Sequence, residues 1–353
     1  MNLPVRPPLE PMLAKSVAAP PPGQVYEPKW DGFRALVFRD GDDVQIHSRN
    51  AREIGRFFPE VVQACLRGLP EHCVVDGEIV RIGPQGRLDF GALQLRLHPA
   101  RSRIDRLADE LAAELVAFDL LAVGAESLLG EGFAARRARL EDVVHGPVRL
   151  TPATEQLEVA RRWFDELEGA GLDGIIAKAP DLRYQPGKRV MSKVKHRRTA
   201  DCVLAGYRPH RTSPEAVGSL VLGLYDEDGQ LCPVGVVGAL TMARRRALVE
   251  ELTPLVVSAH DHPWQWAEEA SGRSEPGSRW SPGASLAFVP LRPERVLEVR
   301  YDAMQGGRFR HLAQFERWRP DRDPRSCGFD QIPVPAPLDL RLWTARADVT
   351  GTG

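Results

Sequence analysis

The sequence predicts an α+β protein of two domains, in which a mixed domain of sheets and helices is followed by a small β-barrel domain. Short β-rich runs alternate with stretches of helical spacing over the first 200 residues, whereas strand-like runs dominate the chain beyond them. The chain has 353 residues, 43% of them apolar, and is long enough for two hydrophobic cores. We expect the mixed domain over 1–200, the barrel over 201–325 and a Pro-containing C-terminal tail over 326–353.

The first predicted domain begins with an antiparallel sheet. The runs 33–39 and 44–47 are rich in β-formers and are joined through Gly41-Asp42, a dipeptide suited to a hairpin. Further predicted strands cover 24–29, 74–82, 115–121 and 173–178, and helical spacing covers 60–69 and 155–168.

The second predicted domain consists of strands with one helix. The run 242–252 has helical spacing. The strand-like runs are 202–207, 219–225, 233–237, 285–289 and 295–301.

Charge and composition narrow the function classes. A net charge of −1 argues against a protein that binds nucleic acid over its whole surface. The segment 183–211, however, contains nine Lys or Arg residues and one acid, so a polyanion could bind one face of the protein there. Five scattered cysteines indicate neither a disulfide framework nor a zinc site. No apolar run of about 18 residues and no signal-like N-terminus are present, so we expect a cytoplasmic protein without a membrane segment.

The lysines are few and fall in short motifs. Only six of the 47 basic residues are lysine, and only lysine supplies an amine that can be deprotonated. Lys29 ends a predicted strand just before Asp31-Gly32, a tight-turn dipeptide. The segment 27–34 therefore predicts a nucleophile at Lys29, with a hairpin carrying a merely solvated lysine as the alternative.

Carboxylates and further lysines surround this motif in the sequence. Asp76 and Glu78 lie in an apolar strand, where a buried carboxylate needs a partner or a metal, although a turn or a solvated edge remains an alternative. Asp173 precedes another apolar strand, and carboxylates near a phosphate site would hold Mg²⁺. Lys193 and Lys195 stand two apart, so both amines lie on one face of a strand, unless this is an ordinary exposed basic strand.

In their joint order these motifs resemble the covalent nucleotidyltransferase superfamily of ATP-dependent DNA ligases, RNA ligases and mRNA capping enzymes. Over about residues 1–325 the chain looks most like the small bacterial DNA ligases of the ligase C type. The resemblance implies an adenylation (nucleotidyltransferase) domain with ATP-grasp-like antiparallel sheets and helices, followed by an OB-fold β-barrel domain. It implies an ATP-dependent DNA ligase that seals 3′-OH/5′-phosphate nicks through a lysyl-AMP on Lys29, in DNA repair.

The resemblance also assigns roles to individual residues. Lys29, Arg34, Lys193 and Lys195 would be catalytic. The nucleotide-binding residues would be Glu27 on the adenine amino group, Phe118 stacked on the purine, Arg34 and Arg49 on AMP or the nick 5′-phosphate, Glu78 on ribose or metal, and Lys29, Lys178, Lys193, Lys195, Arg319 and Arg322 on the phosphates. Glu78 and Asp173 would hold the metal. Asp173 stands where glutamate is usual and Arg322 where lysine is common.

The implied mechanism sets further expectations. ATP would donate AMP with Mg²⁺ or Mn²⁺ bound, and neighbouring cations would depress the pKa of Lys29. The OB-fold would rotate about residues 197–202. The expected partners are nicked double-stranded DNA and other DNA-repair proteins, for a monomer associated with the nucleoid when on DNA. Alternatives are an RNA ligase or RNA/DNA-hybrid repair ligase, and a non-catalytic nucleic-acid-binding module, against which the intact Lys29, Glu78, Lys193 and Lys195 argue.

Overall fold

The chain folds into two compact units. The computed structural model describes residues 1–97, 100–264 and 288–347. The first unit contains residues 1–195 and 334–353, and the second contains 196–333. The chain therefore returns to the first unit at its end, and the predicted tail, 326–353, is divided between the two units.

Two sheets form the first unit. The strands of its smaller sheet follow the order β1-β10-β9-β2, and those of its larger sheet the order β4-β3-β5-β6-β7, with β8 beside β6. Both sheets are mixed rather than purely antiparallel, because β1 runs parallel to β10 and β8 parallel to β6. The strands are β1 (Leu13–Ser16), β2 (Val25–Pro28), β3 (Phe33–Asp40), β4 (Asp43–His47), β5 (His72–Val80), β6 (Glu114–Val123), β7 (Glu126–Ser127), β8 (Arg149–Leu150), β9 (Gly174–Lys178) and β10 (Arg189–Lys195).

Six α-helices lie among the described residues of this unit: α1 (Pro59–Gly68), α2 (Phe90–Gln94), α3 (Ile104–Glu110), α4 (Phe133–Val143), α5 (Leu157–Glu166) and α7 (Leu340–Ala347). Helices α1 and α5 form where apolar residues recur at helical spacing. That pattern is obscured in α4, because two of its buried residues are arginines, Arg136 and Arg137. Sequence periodicity therefore did not predict α4.

The C-terminal helix belongs to a hydrophobic core of the first unit. Leu340 is fully buried there. Trp343 packs edge-to-face on Trp163 of α5, with ring centroids 5.6 Å apart. Arg341 donates to the carbonyl oxygens of Gly83 and Pro84. Helix α7, within the predicted tail, is thus held by packing and by hydrogen bonds from the Arg341 side chain to backbone carbonyl groups.

In its described residues the second unit is a β-rich fold with one α-helix, α6 (Met242–Leu252). Its main sheet has the order β13-β12-β11-β15-β18, with β14 beside β11. The described strands form no closed barrel, and a single bridge between Val237 and Ala313 joins the two edges. The strands are β11 (Arg198–His210), β12 (Ser213–Tyr225), β13 (Leu231–Val237), β14 (Val289–Pro290), β15 (Val296–Tyr301), β16 (Met304–Gln305), β17 (Arg308–Phe309) and β18 (Gln314–Trp318).

Two predictions, a strand over 285–289 and a hinge over 197–202, concern residues at the ends of these strands. Most of the strand predicted over 285–289 lies outside the described residues, and Val289 begins β14. The hinge expected over 197–202 is wrong for residues 198–202, because they pair with β15 as part of β11. Only His196 and Arg197 lie between β10 and β11. None of the helices in the described ranges has the length and hydropathy to cross a membrane.

Candidate active site

Lys29 follows directly on β2, and backbone hydrogen bonds hold it at the start of β9. Its N–H donates to the carbonyl oxygen of Gly174 over 2.8 Å, and its own carbonyl oxygen accepts from the N–H of Asp173 over 3.3 Å. A Cβ on Gly32 would lie 2.0 Å from the carbonyl oxygen of Ile79. The predicted Asp31-Gly32 turn therefore requires glycine, because the backbone passes too close to β5 for any side chain.

One acid links two of the predicted lysines. Lys29 Nζ lies 2.7 Å and Lys195 Nζ 2.8 Å from the same oxygen, Asp173 Oδ2. Register explains the grouping, since Lys195 is opposite Gly174, and Lys193 and Glu27 are both opposite Ile176. Residues opposite each other in a sheet share a face. The structure therefore brings Lys29, Asp173, Lys193 and Lys195 to one face of the smaller sheet.

The expected depression of the Lys29 pKa is wrong for this arrangement. Burial acts to lower the pKa of Lys29, but the charge and hydrogen bond of Asp173, aided by Asp31 and Glu78, outweigh burial and raise it. Burial likewise acts against ionised Asp173, yet Lys29 and Lys195 hold its pKa well below the usual range. The pKa of Lys193 is lowered, by burial first and then by Lys195 and Lys29. Lys29 is thus held as an ammonium ion.

Arg34 is engaged by a fully buried carboxylate. Its Nε and Nη2 atoms donate to the two oxygens of Asp76 over 2.5 and 2.6 Å. Tyr184 Oη also donates to Asp76, over 2.7 Å. The guanidinium carbon lies 4.5 Å from the ring centroid of Phe118. Asp76 thus has the partner that a buried charge requires, and Arg34 is placed beside the aromatic ring predicted to stack on the purine.

Glu78 is a carboxylate with incomplete compensation. It faces Arg34 across the β3–β5 pair. Burial, chiefly, raises its pKa from 4.5 to about 7, with Asp31 and Asp76 acting in the same direction and Arg34 and Lys29 opposing them. No group of three or more His, Cys, Asp or Glu side chains suited to a metal occurs in the described part of the chain. Glu78 and Asp173, the two predicted metal ligands, both act on the charge of Lys29, as does Asp31.

Lys178 lies at a different end of the site from the other lysines. Its Nζ atom is 2.7 Å from Glu27 Oε2, and both side chains are almost fully buried. The same amine lies 4.9 Å from the Phe118 ring centroid and 4.2 Å from that of Phe133. The structure therefore groups Lys178 with Glu27 and Phe118, the residues predicted to recognise the base. Arg137, which contacts Glu27 from α4, was not predicted, because adjacent arginines on a helix are typical of a solvated face.

Three predicted residues lie outside this group. Arg49 is in the exposed turn after β4. Arg319 and Arg322 belong to the second unit, where their guanidinium groups lie 2.9 and 3.7 Å from Asp201 Oδ2. Arg319 also pairs with Asp321 over 2.8 Å.

Comparison with known proteins places these observations in a family context. Residues 11–195 match a family model described as "ATP dependent DNA ligase domain", and residues 213–322 match "ATP dependent DNA ligase C terminal region". The chain is 58% identical over 351 residues to DNA ligase C of Mycobacterium tuberculosis, covering 96% of this chain and 98% of that protein. It is 59% identical over 344 residues to DNA ligase C2 of Mycolicibacterium smegmatis, covering 95% and 97%.

Among solved structures, one from a structure–function study of Lig E DNA ligases aligns with a TM-score of 0.54 at 17% identity. It covers 88% of this chain and 99% of the other. At this identity the similarity concerns the fold alone, and it extends over both units.

Proposed function

The chain belongs to the family of ATP-dependent DNA ligases, and from this premise we propose that it seals 3′-OH/5′-phosphate nicks in duplex DNA through a lysyl-AMP on Lys29. The predicted resemblance to the bacterial ligase C type is confirmed, as are the adenylation domain and the OB-fold domain. Relatives named as DNA ligases at this identity favour DNA over the RNA-ligase and binding-module alternatives. The observation that carries the role of Lys29 is its position beside Asp173 and Lys195.

The first chemical step is attack of Lys29 Nζ on the α-phosphate of ATP. An N–P bond forms, the bond from that phosphorus to the bridging oxygen breaks, pyrophosphate leaves, and the amine loses a proton. Lys29 must lose a proton before it can attack, because an ammonium ion has no lone pair, and the ion pair with Asp173 opposes that loss. Lys193 and Lys195, on the same sheet face, neutralise charge on the phosphates. Positioning of the reactants and neutralisation of phosphate charge then account for the increase in the rate of phosphoryl transfer.

The two later steps use the same centre. AMP passes from Lys29 to the 5′-phosphate at the nick, which regenerates the amine. The 3′-OH then attacks that phosphate, forms the phosphodiester bond and releases AMP. Arg34, aligned by Asp76, is a further phosphate ligand, with Arg49. Arg319 and Arg322 instead orient the pyrophosphate that leaves in the first step.

Base recognition falls to the pair of Glu27 and Lys178. The carboxylate accepts from the 6-amino group of adenine, and the ammonium group beside it donates to N1. Guanine presents an acceptor and a donor in the opposite order, so the pair opposes GTP. Phe118, next to Lys178, offers the stacking surface.

A divalent cation, Mg²⁺ or Mn²⁺, fits Glu78 and Asp173, which both act on the charge of Lys29. Mg²⁺ is usually held by one or two carboxylates together with substrate phosphates, so a larger set of ligands is not needed. The pKa of Glu78, raised to about 7, reflects a carboxylate whose negative charge lacks full compensation. Glu78 and Asp173 would hold the ion, which would neutralise phosphate charge.

We further propose that the protein is a cytoplasmic monomer that acts in DNA repair together with other repair proteins. It would associate with the nucleoid when it is bound to nicked chromosomal DNA. Contacts to the DNA backbone would dominate, with little sequence preference and with affinity that falls steeply with salt.

A labelling experiment tests the nucleophile. The protein is treated with pyrophosphate to remove bound AMP, then incubated with ATP labelled at the α-phosphate and a divalent cation, beside Lys29→Arg and Lys188→Arg. Lys188 is an exposed lysine of the first unit and serves as the matched control. Acid-labile label on the wild type and on Lys188→Arg, but not on Lys29→Arg, is expected. Equal label on Lys29→Arg would refute the assignment. If the assignment holds, the rates of sealing of nicked DNA and of nicked RNA are compared to decide the substrate.

A further inference from the structure

Two adjacent arginines of α4 connect the sheets of the first unit. Arg136 donates from Nε and Nη2 to both oxygens of Asp119, on β6 of the larger sheet, over 2.8 and 3.0 Å. Arg137 reaches the smaller sheet, where its Nη1 lies 3.3 Å from Glu27 Oε1 on β2. Because Arg136 fixes the helix on one sheet, the position of Arg137 against the other sheet is fixed as well.

Every nitrogen of the Arg137 guanidinium has an acceptor. Besides Glu27, Nη2 donates to the carbonyl oxygen of Thr151 over 2.7 Å and Nε donates to Glu141 over 2.6 Å. A planar fork with three separate acceptors has little freedom to turn. Thr151 Oγ1 in turn accepts from the indole Nε1 of Trp30, over 2.8 Å. Arg137 is therefore part of a network that reaches the residue next to Lys29.

The carboxylate of Glu27 is held at both oxygens. Arg137 binds Oε1 and Lys178 binds Oε2, the latter over 2.7 Å, and only 3% of the Glu27 side chain is exposed. A carboxylate with a cation at each oxygen has one preferred orientation, so its remaining lone pairs point in fixed directions. A donor on a ligand can use those directions only if they stay fixed.

Arg137 also separates Glu27 from solvent. A cleft of about 980 Å³ in the first unit is lined by Trp30, Arg137, Glu141 and Thr151, whereas Glu27 does not line it. Removal of the Arg137 side chain would leave space between this cleft and Glu27 that water can enter. Water would compete for the carboxylate oxygens and weaken a hydrogen bond from the base.

We infer that Arg137 is a positioning residue for base recognition, which fixes the Glu27 carboxylate where it accepts from the 6-amino group of adenine. This rests on the proposed function, in which Glu27 reads the base. Loss of Arg137 should therefore act on nucleotide binding and on the preference for ATP over GTP, while the lysine chemistry at saturating ATP continues.

The test compares Arg137→Met with Arg139→Met, a matched change on the same helix. Arg139 pairs with Glu126, and both side chains are about half exposed. Rates of lysyl-AMP formation are measured against ATP and GTP concentration. For Arg137→Met we expect KM for ATP to rise roughly ten- to a hundredfold, which corresponds to one oriented hydrogen bond to a charged group, with kcat within about threefold and a smaller ATP/GTP ratio. Arg139→Met should match the wild type.

The outcomes separate this inference from the proposed function. If Arg137→Met has the KM and ATP/GTP ratio of Arg139→Met, Arg137 does not position the base reader, even though labelled Lys29 upholds the ligase chemistry. A wild type that forms no lysyl-AMP refutes both. Should Arg137→Met fail to fold, Arg137→Lys decides the matter. Lysine keeps the charge without the three-way contact, so an increased KM at normal thermal stability supports the inference, and an unchanged KM overturns it.

Discussion

Replacement of Asp76 by Asn should strongly destabilise the first unit. Asp76 is fully buried and compensates Arg34, which donates to its two oxygens over 2.5 and 2.6 Å. Asn keeps the size and one acceptor but removes the charge, so the guanidinium loses its counterion while it remains largely desolvated. Breaking a buried ion pair on one side costs about 3–5 kcal/mol. We expect the lower end, about 3 kcal/mol, because Arg34 keeps 20% side-chain exposure.

This loss is large enough for thermal unfolding to resolve. For a unit of roughly 200 residues, 1 kcal/mol shifts Tm by about 2–4 °C, so Asp76→Asn should lower Tm by about 6–12 °C. The control is Glu126→Gln, which removes the acid of an exposed pair with Arg139 and should change stability by less than about 0.5 kcal/mol. Circular dichroism and urea titration measure both variants.

A double variant tests the cause. Arg34→Met combined with Asp76→Asn removes both charges of the pair, so it should recover part of the stability that Asp76→Asn loses. A loss below about 1 kcal/mol in Asp76→Asn, or a double variant whose loss equals the sum of the two single losses, would show that the ion pair is not the cause.

Three further predictions concern Glu78, Leu340 and Arg245. The pKa of Glu78 is raised from 4.5 to about 7 in the folded state, so wild type loses stability as the pH rises from 4.5 through 7. Glu78→Gln should therefore gain about 3 kcal/mol over wild type between pH 4 and pH 8 in metal-free buffer, and equal pH profiles in urea titrations would contradict this. Leu340→Ala should cost about 2–4 kcal/mol by calorimetry, whereas Leu342→Ala, at an exposed position, should cost almost nothing; similar losses would show that α7 is not part of the core. Arg245 donates to four backbone carbonyl groups around β12 and α6, so Arg245→Met should destabilise the second unit by about 2 kcal/mol in urea, unlike Arg246→Met at an exposed site.

Much of the fold could be predicted because its signals are local. The strands around Lys29, Asp76 and Lys193 follow from β-rich runs, and α1, α5 and α6 from helical spacing. Helix α4 was not predicted, because arginines on a helix are typical of a solvated face, whereas two arginines of α4 are buried. Helix α7 was not predicted either, because the Pro-rich sequence before it is typical of a C-terminal tail.

The site was predicted as a set of residues but not as a set of pairs. The family motifs predicted roles for Lys29, Glu27 and Glu78, and the similarity to DNA ligase C supports the family to which those motifs belong. The sequence did not reveal that Asp173 raises the pKa of Lys29, or that Lys178 lies with Glu27. Both outcomes depend on the distance between side chains on different strands.

By itself the sequence determined the kinds of charged group, their faces on each strand and the chemistry that a retained lysine allows. Only the tertiary structure decided which acid compensates which base. Arg34 meets Asp76 across 42 positions, Arg137 meets Glu27 across 110, and Lys29 meets Asp173 across 144. Side-chain alternation is set by neighbours one or two residues away, whereas these pairs form only when strand register and helix packing bring distant segments within hydrogen-bond distance.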